Sequence, residues 1–251
     1  MVNIPGISTT RADVLSKRII SIYRKWQKKQ KVINIQSEEF PDMSANLIYD
    51  LTKLKVHYHS LDKKEILAGF KLKEEHYQQA KEVLDEIINK THTPIQFKTL
   101  VEDLVGRSGE HGLWYSNGMF RHKTSIFDQQ TQFKKLIKSI KDNLDKSPEH
   151  IYKTALQIAS GIKGVGPNFI GEIMMTYAPN KLANINQNPI TVLRKEGGAD
   201  IKAYSSSFDG ENYEEYNAII KEIADKLGLK NMLEMDYFFN TIYQKIKNNS
   251  K

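Results

Sequence analysis

Residues 161–198 read GIKGVGPNFIGEIMMTYAPNKLANINQNPITVLRKEGG. Just before them, Ile151, Ala155, Ile158 and Ala159 recur at spacings of three and four, the stripe of an amphipathic helix. After Pro167, a second stripe follows in Phe169, Ile170, Ile173, Met174 and Tyr177. Between the stripes stands Ile162-Lys163-Gly164-Val165-Gly166-Pro167-Asn168, so the pattern is helix, Gly-x-Gly turn, helix. The glycines permit positive φ and remove side chains where a backbone must approach something closely. Proline suits the first position of the second helix, where no N–H is needed. Amides left free at that N-terminus can hold a phosphate, which makes Gly164, Val165 and Gly166 backbone contacts for DNA, with Lys163 adding charge. The same residues also fit a plain turn between two helices with a glycine C-cap.

Outward from this hairpin the periodicity is helical almost throughout. Stripes of apolar residues predict helices over 10–30, 73–91, 95–105, 132–144, 148–160, 212–227 and 236–247. Strand signals are few. Residues 113–120, LWYSNGMF, carry Asn-Gly between apolar residues and read as a small hairpin or as an aromatic-rich loop. Gly, Ser and His interrupt the helices near 105–130, where a seam is expected between an N-terminal helical region (1–110) and a C-terminal one (111–251), the two packed as one unit. The fold class is mostly α.

Composition excludes several functions. The chain has 251 residues, 39% of them hydrophobic and 10% aromatic, too many for a disordered chain. It has no Cys, which removes disulfides, thiolate metal sites and Cys nucleophiles. No apolar run reaches the ~18 residues of a membrane span, and the N-terminal MVNIPGISTTRADV lacks a basic region followed by an apolar core. A cytoplasmic protein without a membrane partner is expected. The formal net charge is +7. Residues 17–31, KRIISIYRKWQKKQK, hold seven basic and no acidic residues, and the remaining 30 basic residues balance the 30 acidic ones. The excess charge is therefore one segment's. It reads as a solvated face, or as a track along a DNA backbone in which Lys25 and Lys28 contact phosphates.

IKGVGPNFIGEIM followed by LANINQNPITVLRKEGG resembles the core of the helix-hairpin-helix DNA glycosylases, in particular their 8-oxoguanine glycosylase-like branch. The resemblance covers about 40 residues. It implies a two-lobed helical fold, a hairpin that grips the phosphate backbone of double-stranded DNA, base flipping, and no cofactor. It also implies an essential Asp twenty residues beyond the second glycine, followed by a helix. Counting from Gly166 gives position 186, and Val192-Leu193 and Gly197 fall where the family pattern expects them. Two departures are chemical. Position 186 is Asn, and position 168, where the lyase-competent branch has its Schiff-base Lys, is also Asn. Ile170 occupies the usual small-residue site, with Gly171 one place later.

Asn186 can still position water through its carboxamide, though it offers no charge. Alternatively it, or Asn188, caps a helix beginning near Pro189. Asn168 is the third position of interest on the catalytic side. Asp236 opens the last predicted helix and is a second candidate acid/base or base-edge reader, or else an N-cap. Phe238 and Phe239 beside it would stack on an extruded base. Residues 107–115 (RSGEHGLWY) and 120–123 (FRHK) have the composition of a loop that shapes a base pocket, with Trp114 and Tyr115 as its rings. Trp114 is equally at home in a core. Arg121 and Lys123 suit phosphates. The histidines, including His57 and His59 that alternate as on a strand face, lack a metal-ligand spacing, so no catalytic metal is expected. The expected function is a DNA glycosylase that hydrolytically removes a modified or damaged base, including bases of foreign or viral DNA. The alternative is a catalytically inactive DNA-binding module of a restriction or phage-defence system.

Overall fold

The computed structural model describes residues 51–106 and 112–249. They are mostly helical. In chain order come α1 (Leu51–His59), α2 (Lys63–Asn89), α3 (Pro94–Leu104), β1 (Val105–Gly106), β2 (Trp114–Tyr115), α4 (Asn117–His122), α5 (Gln130–Asp142), α6 (Pro148–Ala159), α7 (Pro167–Tyr177), α8 (Gln187–Lys195), α9 (Gly210–Leu227) and α10 (Met232–Asn249). Single 3-10 turns lie at Lys123–Ile126 and Ser205–Ser207. The chain divides into Met1–Leu47 and Ile48–Lys251, so every described residue belongs to the second unit. The seam expected near 105–130 falls inside that unit. The basic segment 17–31, with Lys25 and Lys28, lies outside the described residues, as do residues 107–111.

The helix starts obey local chemistry. Thr93 caps α3 in a full capping box with Gln96, and Pro94, Pro148 and Pro167 each occupy the first turn of a helix. Ser147 and Asp209 cap α6 and α9, and α9 ends at Gly228 with φ 71°, a left-handed C-cap. The Asn117-Gly118 pair makes no hairpin. Ser116 instead accepts from the Met119 amide and starts α4, while Trp114–Tyr115 pairs in parallel with Val105–Gly106. A side-chain cap one residue earlier has outcompeted the turn. His57 and His59 sit on helix α1 and not on a strand, and His57 Nε2 lies 3.3 Å from Glu196 Oε2.

Helix α7 is the axis of the unit. All eight residues from Phe169 to Thr176 are buried, and α2, α5 and α6 pack around it. Phe97, Phe133 and Phe169 form an edge-to-face chain through this core, with centroids 6.2 and 6.3 Å apart. Beyond α7 the chain runs as irregular backbone over 181–186, and helix α9 satisfies it. Tyr213 donates to Ala183 O (2.7 Å) and Tyr216 to Asn184 O (2.8 Å). Asn217 accepts from the Ala183 amide (2.7 Å) and donates to Lys181 O (2.9 Å). A buried irregular segment needs such partners, because each orphaned group would cost about 1–3 kcal/mol.

Gly171 lets this segment approach α7. A Cβ there would stand 2.5 Å from Asn184 Oδ1 and 2.7 Å from the Ile185 amide nitrogen. The close approach is thus made at Gly171, one place after Ile170. Gly171→Ala is expected to destabilise the protein by roughly 1–3 kcal/mol, read from the midpoint of urea unfolding, because the opposing backbone has to move.

Candidate active site

Asn168, Asn186 and Asp236, from three separate stretches of the chain, line one cavity of about 720 Å³. Each reaches it by a different device. Asn168 is the second residue of α7, directly after Gly166-Pro167, so the hairpin leads straight to the cavity wall. Asn186 is the N-cap of α8. Its Oδ1 accepts from the Asn188 amide at 2.9 Å, which locks the carboxamide, and its Nδ2 faces Asp236 Oδ1 at 3.4 Å. Capping and facing the cavity are thus compatible for one side chain. The helix it caps starts at Gln187, earlier than the Pro189 expected.

Asp236 does not open its helix. Helix α10 starts at Met232, with Asn231 Oδ1 accepting from the Glu234 amide, so Asp236 lies in the second turn and is free of capping duty. It is buried, at 5% exposure, and surrounded by donors. Lys73 of α2 forms an ion pair with Oδ2, and Asn240, one turn on, donates to the same oxygen at 2.9 Å. Asn188 donates to Asn240 Oδ1 at 2.6 Å and so ties α8 to α10. A carboxylate of α10 thus stands beside Asn186, with a lysine and two carboxamides holding it.

A second carboxyl, Glu172 of α7, lines the same wall. Tyr77 donates to its Oε2 and Asn184 to its Oε1 at 2.9 Å. Burial, with the nearby charge of Asp236, pushes the Glu172 carboxyl up from 4.5 to about 7, against the opposing pull of Lys73, Tyr77 and Asn184. Burial, aided by the Glu172 charge, also drives the Tyr77 hydroxyl well above its usual value, so Tyr77 remains a donor. A carboxyl raised on folding stabilises the native state fully below its unfolded value. That contribution is lost as pH rises through about 7. Thermal melts between pH ~5 and ~8 should therefore show stability falling on the order of 3 kcal/mol from this group. Glu172→Gln should remove that decline.

The hairpin itself has unequal glycines. Gly164 has φ 84°, and a Cβ on it would stand 2.9 Å from the His122 carbonyl oxygen, so positive φ and close approach are both required there. Gly166 is extended at φ −139°, a conformation open to any residue, and a Cβ there would meet nothing within 4 Å. No side chain caps α7 at Gly166, which leaves the first-turn amides without a side-chain partner. Val165 is buried, and Lys163 is exposed with its amide bound to Gln129 Oε1 at 3.0 Å.

Several expected positions differ. Trp114 is a core residue, 1% exposed and absent from the cavity wall, because β2 turns it inward while Tyr115, the next residue along the strand, faces the cavity. Phe238 and Phe239 are likewise core residues, 1% and 0% exposed. With α10 starting at Met232, they share the inner face with Met235 and Ile242, and Tyr237 is the ring at the cavity. Lys123 is turned inward, with Nζ 3.5 Å from Val105 O and 4.4 Å from the Phe120 ring centroid. Arg121 is exposed.

Lys73, Glu172, Tyr77 and Asn240 went unnoticed in the sequence. The one available signal was the i, i+4 series of Asp236, Asn240 and Gln244, which places three polar side chains on one face of a helix. Among the described residues no three His, Asp or Glu side chains converge as metal ligands, and no helix is long and apolar enough to cross a membrane. Comparison with protein-family models, with curated proteins and with solved structures finds no match to this chain.

Proposed function

We propose that this protein is a monofunctional DNA glycosylase with a helix-hairpin-helix glycosylase-like fold, acting on a modified base flipped from double-stranded DNA. The observation that carries the reading is the convergence of the hairpin-proximal Asn168, Asn186 and the buried Asp236 on one cavity. Hydrolysis of an N-glycosidic bond breaks C1′–N with the electron pair leaving on the base. Water then adds at C1′ and gives up a proton. Asp236, oriented by Lys73, Asn186 and Asn240, opposes the positive charge that develops on the sugar and takes the proton of the incoming water. Glu172, which holds its own proton up to about 7, is the acid in the same wall that can protonate the departing base. Exposed Lys163 and Arg121, with the free amides of α7, meet the phosphates, and affinity falls steeply with salt.

A second reading, a recognition module without chemistry, is favoured by the Asn residues at 168 and 186. One assay decides between them. The protein is incubated with duplexes carrying a panel of damaged and hypermodified bases, and abasic sites are scored by alkali cleavage. Abasic product that disappears in Asp236→Asn is the expected result. Binding without abasic product across the panel would leave the recognition module, and no binding at low salt would remove both readings.

A further inference from the structure

The two carboxyls and Lys73 occupy only part of the cavity. The rest of its polar wall is built largely from carboxamides, Asn168, Asn186, Gln187, Asn188, Asn240 and Gln244, together with His76, Ser116 and Lys247. Their hydrogen-bonding capacity is unevenly used. Asn168 and Gln244 make no hydrogen bond among the described residues. Gln187 spends its N–H groups on Thr191 Oγ1 (3.4 Å) and Ala203 O (2.9 Å), and Asn188 donates to Asn240. Within the described residues, the side-chain oxygens Oε1 of Gln187 and Oδ1 of Asn188 accept nothing. These side chains offer a ligand both donors and acceptors that carry no charge. Of the charged groups on the same wall, Lys73 is paired with Asp236, Glu172 is held by Tyr77 and Asn184, and Lys247 stands three residues past Gln244 on α10.

Two further features bear on the ligand. The first is size: about 720 Å³, where ~150 Å³ suffices for a benzene-sized ring. A bare base would leave most of the space to water. The second is an aromatic wall at the opening, where Tyr115 is 53% exposed and its ring lies 5.6 Å from that of His76. A lone base edge has few polar atoms for a wall on which Asn168, Gln187, Asn188 and Gln244 all hold unused hydrogen-bonding groups. A hydroxyl both donates and accepts, as a carboxamide does, and a pyranose adds an apolar C–H face that lies against an exposed tyrosine ring.

We propose that the substrate is a base carrying a neutral polyhydroxylated substituent, a glycosylated base, and that the carboxamide wall with Tyr115 is its sugar-binding subsite. The excision of that base rests on the glycosylase reading; the binding does not.

The test uses the full chain and five matched duplexes. These contain cytosine, 5-hydroxymethylcytosine, glucosylated 5-hydroxymethylcytosine, uracil or 8-oxoguanine at one position. Abasic product is measured with the wild-type protein, and equilibrium binding with Asp236→Asn. The expected result is excision of the glucosylated base at least 10-fold faster than any other, with a binding preference of similar size. Gln244→Ala and Tyr115→Ala should each reduce that preference about 5–10-fold, the loss of one hydrogen bond or one stacking contact. Excision of uracil or 8-oxoguanine as fast as of the glucosylated base would overturn the substrate class and leave the glycosylase reading standing. A binding preference for the glucosylated duplex without any abasic product would support the subsite and overturn the glycosylase reading. Neither preference nor product would overturn both.

Discussion

Asp236→Asn is expected to lower excision by roughly 10²–10⁴-fold while leaving DNA affinity within a few-fold of the parent. The substitution keeps size but only one acceptor oxygen, so Asn186, which donates to Oδ1, and Asn240 and Lys73, which bond Oδ2, do not all keep a side-chain partner; Asn240 still donates to the backbone carbonyl of residue 236. What it removes is the negative charge facing the sugar. Because an amide cannot take the proton of the attacking water, the loss should appear in the single-turnover rate and not in the concentration giving half-saturation. Asn186→Ala should cost less, since the carboxylate would remain and only its orientation would suffer. Equal loss in rate and in binding for Asp236→Asn would mean that the residue holds the fold and does no chemistry.

Lys73→Met should have the second large effect, on stability. The pair it breaks is buried, with side-chain exposures of 17% for Lys73 and 6% for Asp236. Removing one partner of such a pair costs about 3–5 kcal/mol near neutral pH, because the remaining charge has lost its compensation. The double variant Lys73→Met with Asp236→Leu should recover most of the stability and none of the activity, since an apolar pair substitutes well for a buried ion pair. Chemical denaturation of the parent and both variants, with the excision rate of each, separates these outcomes.

The difference between these residues and the ones the sequence suggested is physical. Helix α7 was legible because Phe169, Ile170, Ile173 and Met174 are periodic and Pro167 marks a start. Asn186 was legible because it stands at a fixed count from Gly166. Both signals are local. Lys73 was not legible: in KLKEEHYQQAKE it is one lysine among several, and its partner is 163 residues away. Glu172 looked like the polar position of an amphipathic helix, yet α7 is covered on all sides and the carboxyl is buried. On α10 the misreading came from the start of the helix. Counting from Asp236 made Phe238 and Phe239 neighbours of a pocket, whereas a start at Met232 makes them core and gives the pocket face to Asp236, Tyr237 and Asn240.

That face of α10 is also a ruler. At about 1.5 Å per residue, Asn240 stands roughly 6 Å and Gln244 roughly 12 Å along the axis from Asp236. On the glycosylase reading, bond cleavage is tied to the first position, while Asn240 and Gln244 stand one and two turns beyond it with side chains that carry no charge. Reach could therefore be lengthened or shortened one helical turn at a time, by exchanging residues 240 and 244, without moving the carboxylate at the origin.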